Sequence, residues 1–369
     1  MPPPSPSPVS TGEGIKTKFL DSLPLSQGEG WGGGVFRACL VMLLTLQLTG
    51  CYLMQAAKGQ LAITVKREPI EDVIADPKTP AATQARLKMI AEARAFASSE
   101  LALPDNDSYR SYVALKRDYV VWNVFATEPF SVEPISWCFP IAGCVVYRGY
   151  FNENAAQRYA RRARLDGKDA TVGGVAAYST LGHFKDPVLS TMLRWSDAQI
   201  AATLFHELAH QVVYVPSDSA FNEAFATVVE EYGAERWLQQ RNEGPALAAW
   251  RLARKRSGEF TDLLLATRER LRALYRLRLA PTELHYRKQQ EFGRLKYDYW
   301  QLKASWNGYG GYDNWFNRTL SNADLISAAT YQSCVPGLEK LLQESGSLPR
   351  FYEAAEKLDE EGRRRVCGG

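Results

Sequence analysis

Thr203-Leu204-Phe205-His206-Glu207-Leu208-Ala209-His210 is the stretch on which the reading of the whole chain turns. It lies in a run where Ile200, Leu204, Leu208 and Val212 recur at helical spacing, which predicts a helix capped by Asp197 and ended before Pro216. Residues four apart share one face of a helix, so His206 and His210 can offer ring nitrogens to a single ion, the HExxH arrangement. Zinc accepts imidazole readily, and a catalytic zinc site takes three protein ligands and keeps one position for water. Glu207, beside the first histidine, stands where a base would take a proton from that water and return it to a leaving amine. The chain holds only four histidines, and two of them fall at this spacing.

A third ligand is required, and Asp218, Glu223, Glu230 and Glu231 follow closely. No histidine or glycine continues the motif in the HxxGxxH pattern, which argues against a metzincin. Glu223 is the first choice: it lies in Asn222-Glu223-Ala224-Phe225-Ala226, on a second helix predicted from Phe221 to about Gln240 with Ser219 as its cap. This layout resembles the gluzincins, in which an Asn-Glu pair on a following helix supplies a glutamate ligand. Only twelve residues separate His210 from Glu223 here, so a loop aspartate, Asp218, stays open as the alternative. Glu230, two turns beyond Glu223, would orient a ligand histidine or else be a surface acid. An oxyanion donor is sought among Tyr309, Tyr312 and Tyr331, with Tyr331 selected and His183 as another option.

Outward from this motif the chain predicts an α+β, zincin-like fold: an N-terminal mixed β-sheet with helices, then the HExxH helix and a mainly helical C-terminal part. Leu87, Ile90, Ala91 and Ala95 mark a helix within Pro80 to Leu103, and Tyr119-Val120-Val121-Trp122-Asn123-Val124-Phe125 reads as a buried strand. Gly174 to Thr180 is a further strand, either interior or a sheet edge able to pair with an extended peptide. The charged region Ala246 to Trp300, broken at Ala280-Pro281, predicts an antiparallel helix pair whose basic residues form a solvated face. No repeat and no domain boundary interrupts residues 51–369, which are read as one domain.

The first 34 residues are rich in Pro, Ser and Gly and lack the apolar residues to offset the entropy of ordering, so they are read as disordered or as a misassigned start. After Arg37, the uncharged run Ala38 to Gly50 is too short for a spanning helix of about 20 residues and fits a signal peptide. Leu48-Thr49-Gly50-Cys51 resembles the bacterial lipobox, which implies lipidation at Cys51 and attachment to the cell envelope. Tyr52 after that cysteine implies the periplasmic face of the outer membrane. Cys138, Cys144, Cys334 and Cys367 then remain as an even set in an exported chain, and Cys138 and Cys144 flank a turn holding Pro140 and Gly143, so a disulfide-closed hairpin is expected. The 44 Lys+Arg against 41 Asp+Glu leave a net charge of +3, which speaks against a nucleic-acid partner.

Taken with the motif, VVWNVFA, WCFPIAGCVVYRGYF, GVAAYSTLGHFKDP, FHELAHQVVYV, FNEAFATVVEEYG and YGGYDNWF resemble a family of bacterial lipoproteins described as predicted aminopeptidases. The resemblance implies zinc at His206, His210 and Glu223, Glu207 as catalytic base, and a peptide or protein substrate hydrolysed at the membrane surface. Two alternatives stand beside it: an endopeptidase, and a non-catalytic zinc lipoprotein serving as an envelope assembly or binding module.

Overall fold

The computed structural model describes residues 52, 54–139, 143–177, 180, 185–216, 218–326 and 334–368. Cys51 and everything before it, His183 and Tyr331 lie outside the described residues. Helix α1 (residues 54–64) leads into β1 (Glu68–Pro69), α2 (Ile70–Ala75) and α3 (Ala81–Ser99). Next come β2 (Ser111–Val113), β3 (Val121–Thr127), β4 (Trp137–Phe139), β5 (Gly143–Val145), β6 (Arg148–Tyr150), α4 (Glu153–Leu165), β7 (Asp169–Val175) and β8 (Val188–Leu189). Helices α5 (Asp197–Ala209), α6 (Ser219–Gln240), α7 (Gly244–Tyr275) and α8 (Pro281–Ser305) follow, and three helices, Val335–Ser345, Leu348–Glu356 and Glu360–Val366, end the chain. None of the helices among the described residues is long and apolar enough to cross a membrane.

In place of the single mixed sheet expected, the strands form three small sheets, ordered β1-β2-β8, β6-β3-β7 and β4-β5. Most strands run for only two or three residues, so no ladder extends far enough to merge with another. Strand β3 is buried on both sides, as its unbroken apolar text predicts. Trp122, Val124 and Ala126 pack on Ala156, Ala160 and Ala163 of α4, while Phe125 on the opposite face meets Tyr147, Ala323 and Ile326. Its partner β7 ends at Val175, earlier than the strand expected over Gly174 to Thr180, of which Tyr178 and Ser179 lie outside the described residues. The Tyr119 ring covers Gly174 so closely that a Cβ there would stand 2.4 Å from it, which accounts for a glycine in a strand.

Helix α5 is buried along nearly its whole length, and apart from Asp197, Gln199 and Thr203, which are only half-buried, its polar residues are those of the site. Its cap is Ser196, whose hydroxyl accepts from Gln199 N at 3.3 Å, and that of α6 is Asp218, which accepts from Phe221 N at 3.2 Å. Each lies one residue before the cap expected from sequence, the position from which a side-chain oxygen reaches forward to the free amide three residues further along. Phe96 of α3 meets Phe205 of α5 at 5.8 Å and Trp237 of α6 at 5.2 Å, and Phe225 stacks on Phe351 at 5.2 Å. Burial of such a side chain contributes about 1.5–3 kcal/mol. Gly233 lets α6 approach: a Cβ there would lie 2.8 Å from the Phe205 ring.

Cys138 and Cys144 face each other in the β4-β5 register and are bonded, and Cys334 is bonded to Cys367 across the C-terminal helices. Helices α7 and α8 form a second core together with the segment that follows them, in which Phe260 stacks on Tyr312 at 4.0 Å and Tyr299 on Phe316 at 4.2 Å.

Candidate metal centre

The two histidines stand on the buried face of α5. His210 keeps helical dihedrals just past the last turn, so the four-residue offset is preserved, and the rings lie 4.8 Å apart at 85°. Helix α6 runs back antiparallel and brings Glu223 opposite both. Asn222 controls that return: its side-chain oxygen accepts from Val215 N and its amide donates to Val215 O, both at 2.8 Å, pinning the connecting loop as a strand neighbour would.

Nε2 of His206 lies 3.2 Å from Nε2 of His210 and 3.3 Å from Oε2 of Glu223, with His210 to Glu223 at 3.7 Å. An ion held tetrahedrally at bonds of about 2.0–2.1 Å sets its ligands roughly 3.3 Å apart, so the spacing fits a zinc-sized cation. Two ring nitrogens and a carboxylate converging in a buried place also need a positive charge among them. Among the described residues this is the group of donors able to hold a metal. Asp218, the alternative ligand, is not part of it: it caps α6 and accepts from Arg363 Nε at 2.9 Å.

Glu230 reaches Nδ1 of His206 at 2.9 Å, the orienting contact its two-turn spacing from Glu223 allows. Arg254 of α7 in turn stands 3.8 Å from Glu230 and pairs with Glu231. Burial disfavours charge on His206, but hydrogen bonds to Glu223 and Glu230 outweigh it and hold the imidazolium well above its ordinary range. Against burial, which pushes the other way, His210 and His206 draw the Glu223 carboxyl down to about 2. Glu230 is likewise lowered despite burial, by His206 and Arg254. Glu207 is buried beside these groups, 7% exposed.

Two tyrosines that sequence reading did not select complete the surroundings. Tyr147, just before β6, has a buried hydroxyl without a hydrogen-bond partner among the described residues, and so has Tyr214 in the loop after α5. Burial pushes the Tyr147 hydroxyl well up, and Glu223 and Glu207 act on it in the same direction. Tyr214 is raised by burial and by Glu223. Both therefore remain O–H donors. A tyrosine following Val145-Val146 reads as strand core, and no local signal in the sequence distinguishes it. Tyr309 and Tyr312, considered earlier, belong elsewhere: Arg256 lies over Tyr309 at 4.1 Å and Tyr312 sits in the α7–α8 core.

The centre thus brings together two histidines and a glutamate able to hold a cation, with a further buried carboxylate, Glu207, on α5. Residues 51–366 match the model of the family described as "Putative aminopeptidase", and the chain belongs to that family. No curated protein and no solved structure matches it.

Proposed function

We propose that the protein is a zinc-dependent metallopeptidase of gluzincin-like, α+β design that removes N-terminal residues from peptides. The observation that carries this reading is the convergence of His206, His210 and Glu223 within 4.8 Å, with Glu207 next to the first ligand. His206, His210 and Glu223 would hold the metal. Zinc, when bound, supplies a Lewis acid that polarises a peptide carbonyl and makes water acidic. Glu207 takes the proton from the attacking water and delivers it to the departing amine. Glu230, itself approached by Arg254, holds His206 with Nε2 turned to the metal position. Tyr147, under the influence of both Glu207 and Glu223, donates its hydroxyl proton to charge developing on the carbonyl oxygen. Strand β7, at a sheet edge, is suited to pair with an extended substrate.

Attachment to the envelope membrane through Cys51 belongs to the same reading. It is supported by the apolar run ending in Leu48-Thr49-Gly50-Cys51 and by the family match that starts at residue 51. The test compares wild type with Glu207→Gln, measuring zinc content and turnover of a peptide library in free and N-acetylated form. Equal zinc with turnover reduced by about 10²–10⁴ supports the enzyme. Turnover confined to free N-termini supports an aminopeptidase, and equal cleavage of acetylated peptides identifies an endopeptidase. A zinc-loaded wild type that cleaves nothing in the library overturns the catalytic reading.

A further inference from the structure

Tyr52 is the first described residue, two positions past the end of the apolar run Ala38 to Gly50 in sequence. The Arg148 guanidinium lies over its ring at 4.3 Å, and the Tyr150 ring meets it edge-on at 5.7 Å. The same guanidinium lies 4.7 Å from the ring of Tyr159 on α4. Gln55 adds a clamp: its amide donates to Gly149 O and its oxygen accepts from Phe151 N, both at 3.2 Å, as a neighbouring strand on β6 would do. Gly59 lies against Phe151, where a Cβ would come within 2.1 Å of the ring. The start of the mature fold is therefore docked beside α4.

Helix α4 turns its alanines toward β3 and carries Arg158, Arg161, Arg162 and Leu165 at three- and four-residue spacing on its exposed side. Leu165 is 79% exposed. The three arginines have no ion-pair partner among the described residues, whereas Arg251, Arg254, Arg270 and Arg272 of α7 are each paired with a glutamate. Like charges within two turns repel one another and add nothing to folding. An anionic surface neutralises all of them at once and accepts the leucine between headgroups.

We propose that this face of α4 rests on the anionic headgroups of the bilayer to which the N-terminal segment attaches, and so sets the orientation of the folded unit on the membrane. The proposal rests on the membrane-attachment part of the reading above and is independent of zinc and of peptidase activity. Charge complementarity and the position of Tyr52 beside α4 both point to lipid rather than to a soluble partner.

The test uses the full chain reconstituted into vesicles of phosphatidylcholine, with or without phosphatidylglycerol, containing a lipid with a quencher in its headgroup. A fluorophore is placed by Leu165→Cys, and in a separate sample by Tyr297→Cys on the exposed side of α8. The expected result is quenching at 165, only with phosphatidylglycerol, and none at 297. Each of Arg158→Gln, Arg161→Gln and Arg162→Gln lowers the ratio of quenched to unquenched label about five-fold, the effect of one basic residue at an anionic surface. Lysine at the same positions restores it. Association without quenching at 165, or quenching at 297 instead, overturns the α4 face while leaving attachment intact. A chain that associates with no vesicle overturns attachment and the face together, and none of these outcomes bears on peptide cleavage.

Discussion

Two antiparallel helix pairs, α5–α6 and α7–α8, use charge in opposite ways. The first buries His206, Glu207, His210, Glu223 and Glu230 within a core otherwise made of Leu, Phe, Val and Ala. The second keeps most of its charges in surface pairs such as Arg287–Glu283, both partners more than 40% exposed, around an aromatic and leucine interior. Even when paired, as here, buried charges give up hydration that offsets much of their mutual attraction, so such a cluster is weak evidence of net stabilisation. The contrast teaches where a donor set can be assembled: α5–α6 holds a preorganised group able to take a cation, and α7–α8 lends support through Arg254. One residue of α8 departs from the rule. Lys288 is buried, donating to Asp169 of β7 at 2.6 Å and to Pro129 O at 2.9 Å.

That exception gives the largest expected effect. Lys288→Met leaves the Asp169 carboxylate, 16% exposed, with the Asn322 amide at 2.9 Å but no cation beside it, and should cost about 3 kcal/mol of stability, read from urea unfolding. A loss below about 1 kcal/mol would show that the two helix pairs differ less than this contrast claims.

Glu230→Gln tests the other side. It keeps shape and a hydrogen-bond acceptor for His206 but removes the charge, and zinc affinity measured by chelator competition should fall about 10- to 100-fold with the melting temperature of the metal-free protein changed far less. Unchanged affinity would reduce Glu230 to a packing residue.

The pH response sharpens the comparison further. In the metal-free protein the raised His206 contributes stability that is complete below its ordinary value of 6.5 and is lost as pH rises through the folded value. Glu223 contributes above its ordinary 4.5 and loses that contribution as pH falls toward about 2. Stability without metal should therefore peak between those two ordinary values and decline on either side. Zinc must displace the His206 proton, so its stabilising effect should grow as pH rises. Thermal melts with and without chelator across this range check both trends, and parallel curves would remove the coupling.

Smallest is the effect of Arg287→Ala, which breaks an exposed i,i+4 pair and should change unfolding free energy by less than about 0.5 kcal/mol.

Much of the centre was legible because its information is local. The offset of His206 and His210 is a property of any helix, and Asn222-Glu223 follows within one short connection. The same locality made the β4-β5 disulfide readable. Boundaries were less secure: the caps of α5 and α6 fall one residue earlier than expected, and β7 hides in a text with two glycines because its conformation is enforced by pairing with β3 and by the Tyr119 ring.

The sequence by itself determined that a helix would present two imidazoles and a neighbouring carboxylate on adjoining positions, since helical periodicity requires nothing from the rest of the chain. Tertiary structure alone decided that Glu223 rather than Asp218 stands opposite them, that Glu230 reaches His206, and that Arg254 approaches from α7. It also brought Tyr147 into the electrostatic field of Glu207 and Glu223 and set Tyr52 under the Arg148 guanidinium, which also lies over Tyr159 of α4. These are meetings of residues from about 10 to about 100 positions apart, fixed by the packing of apolar surfaces that carry no local sign of what they bring together.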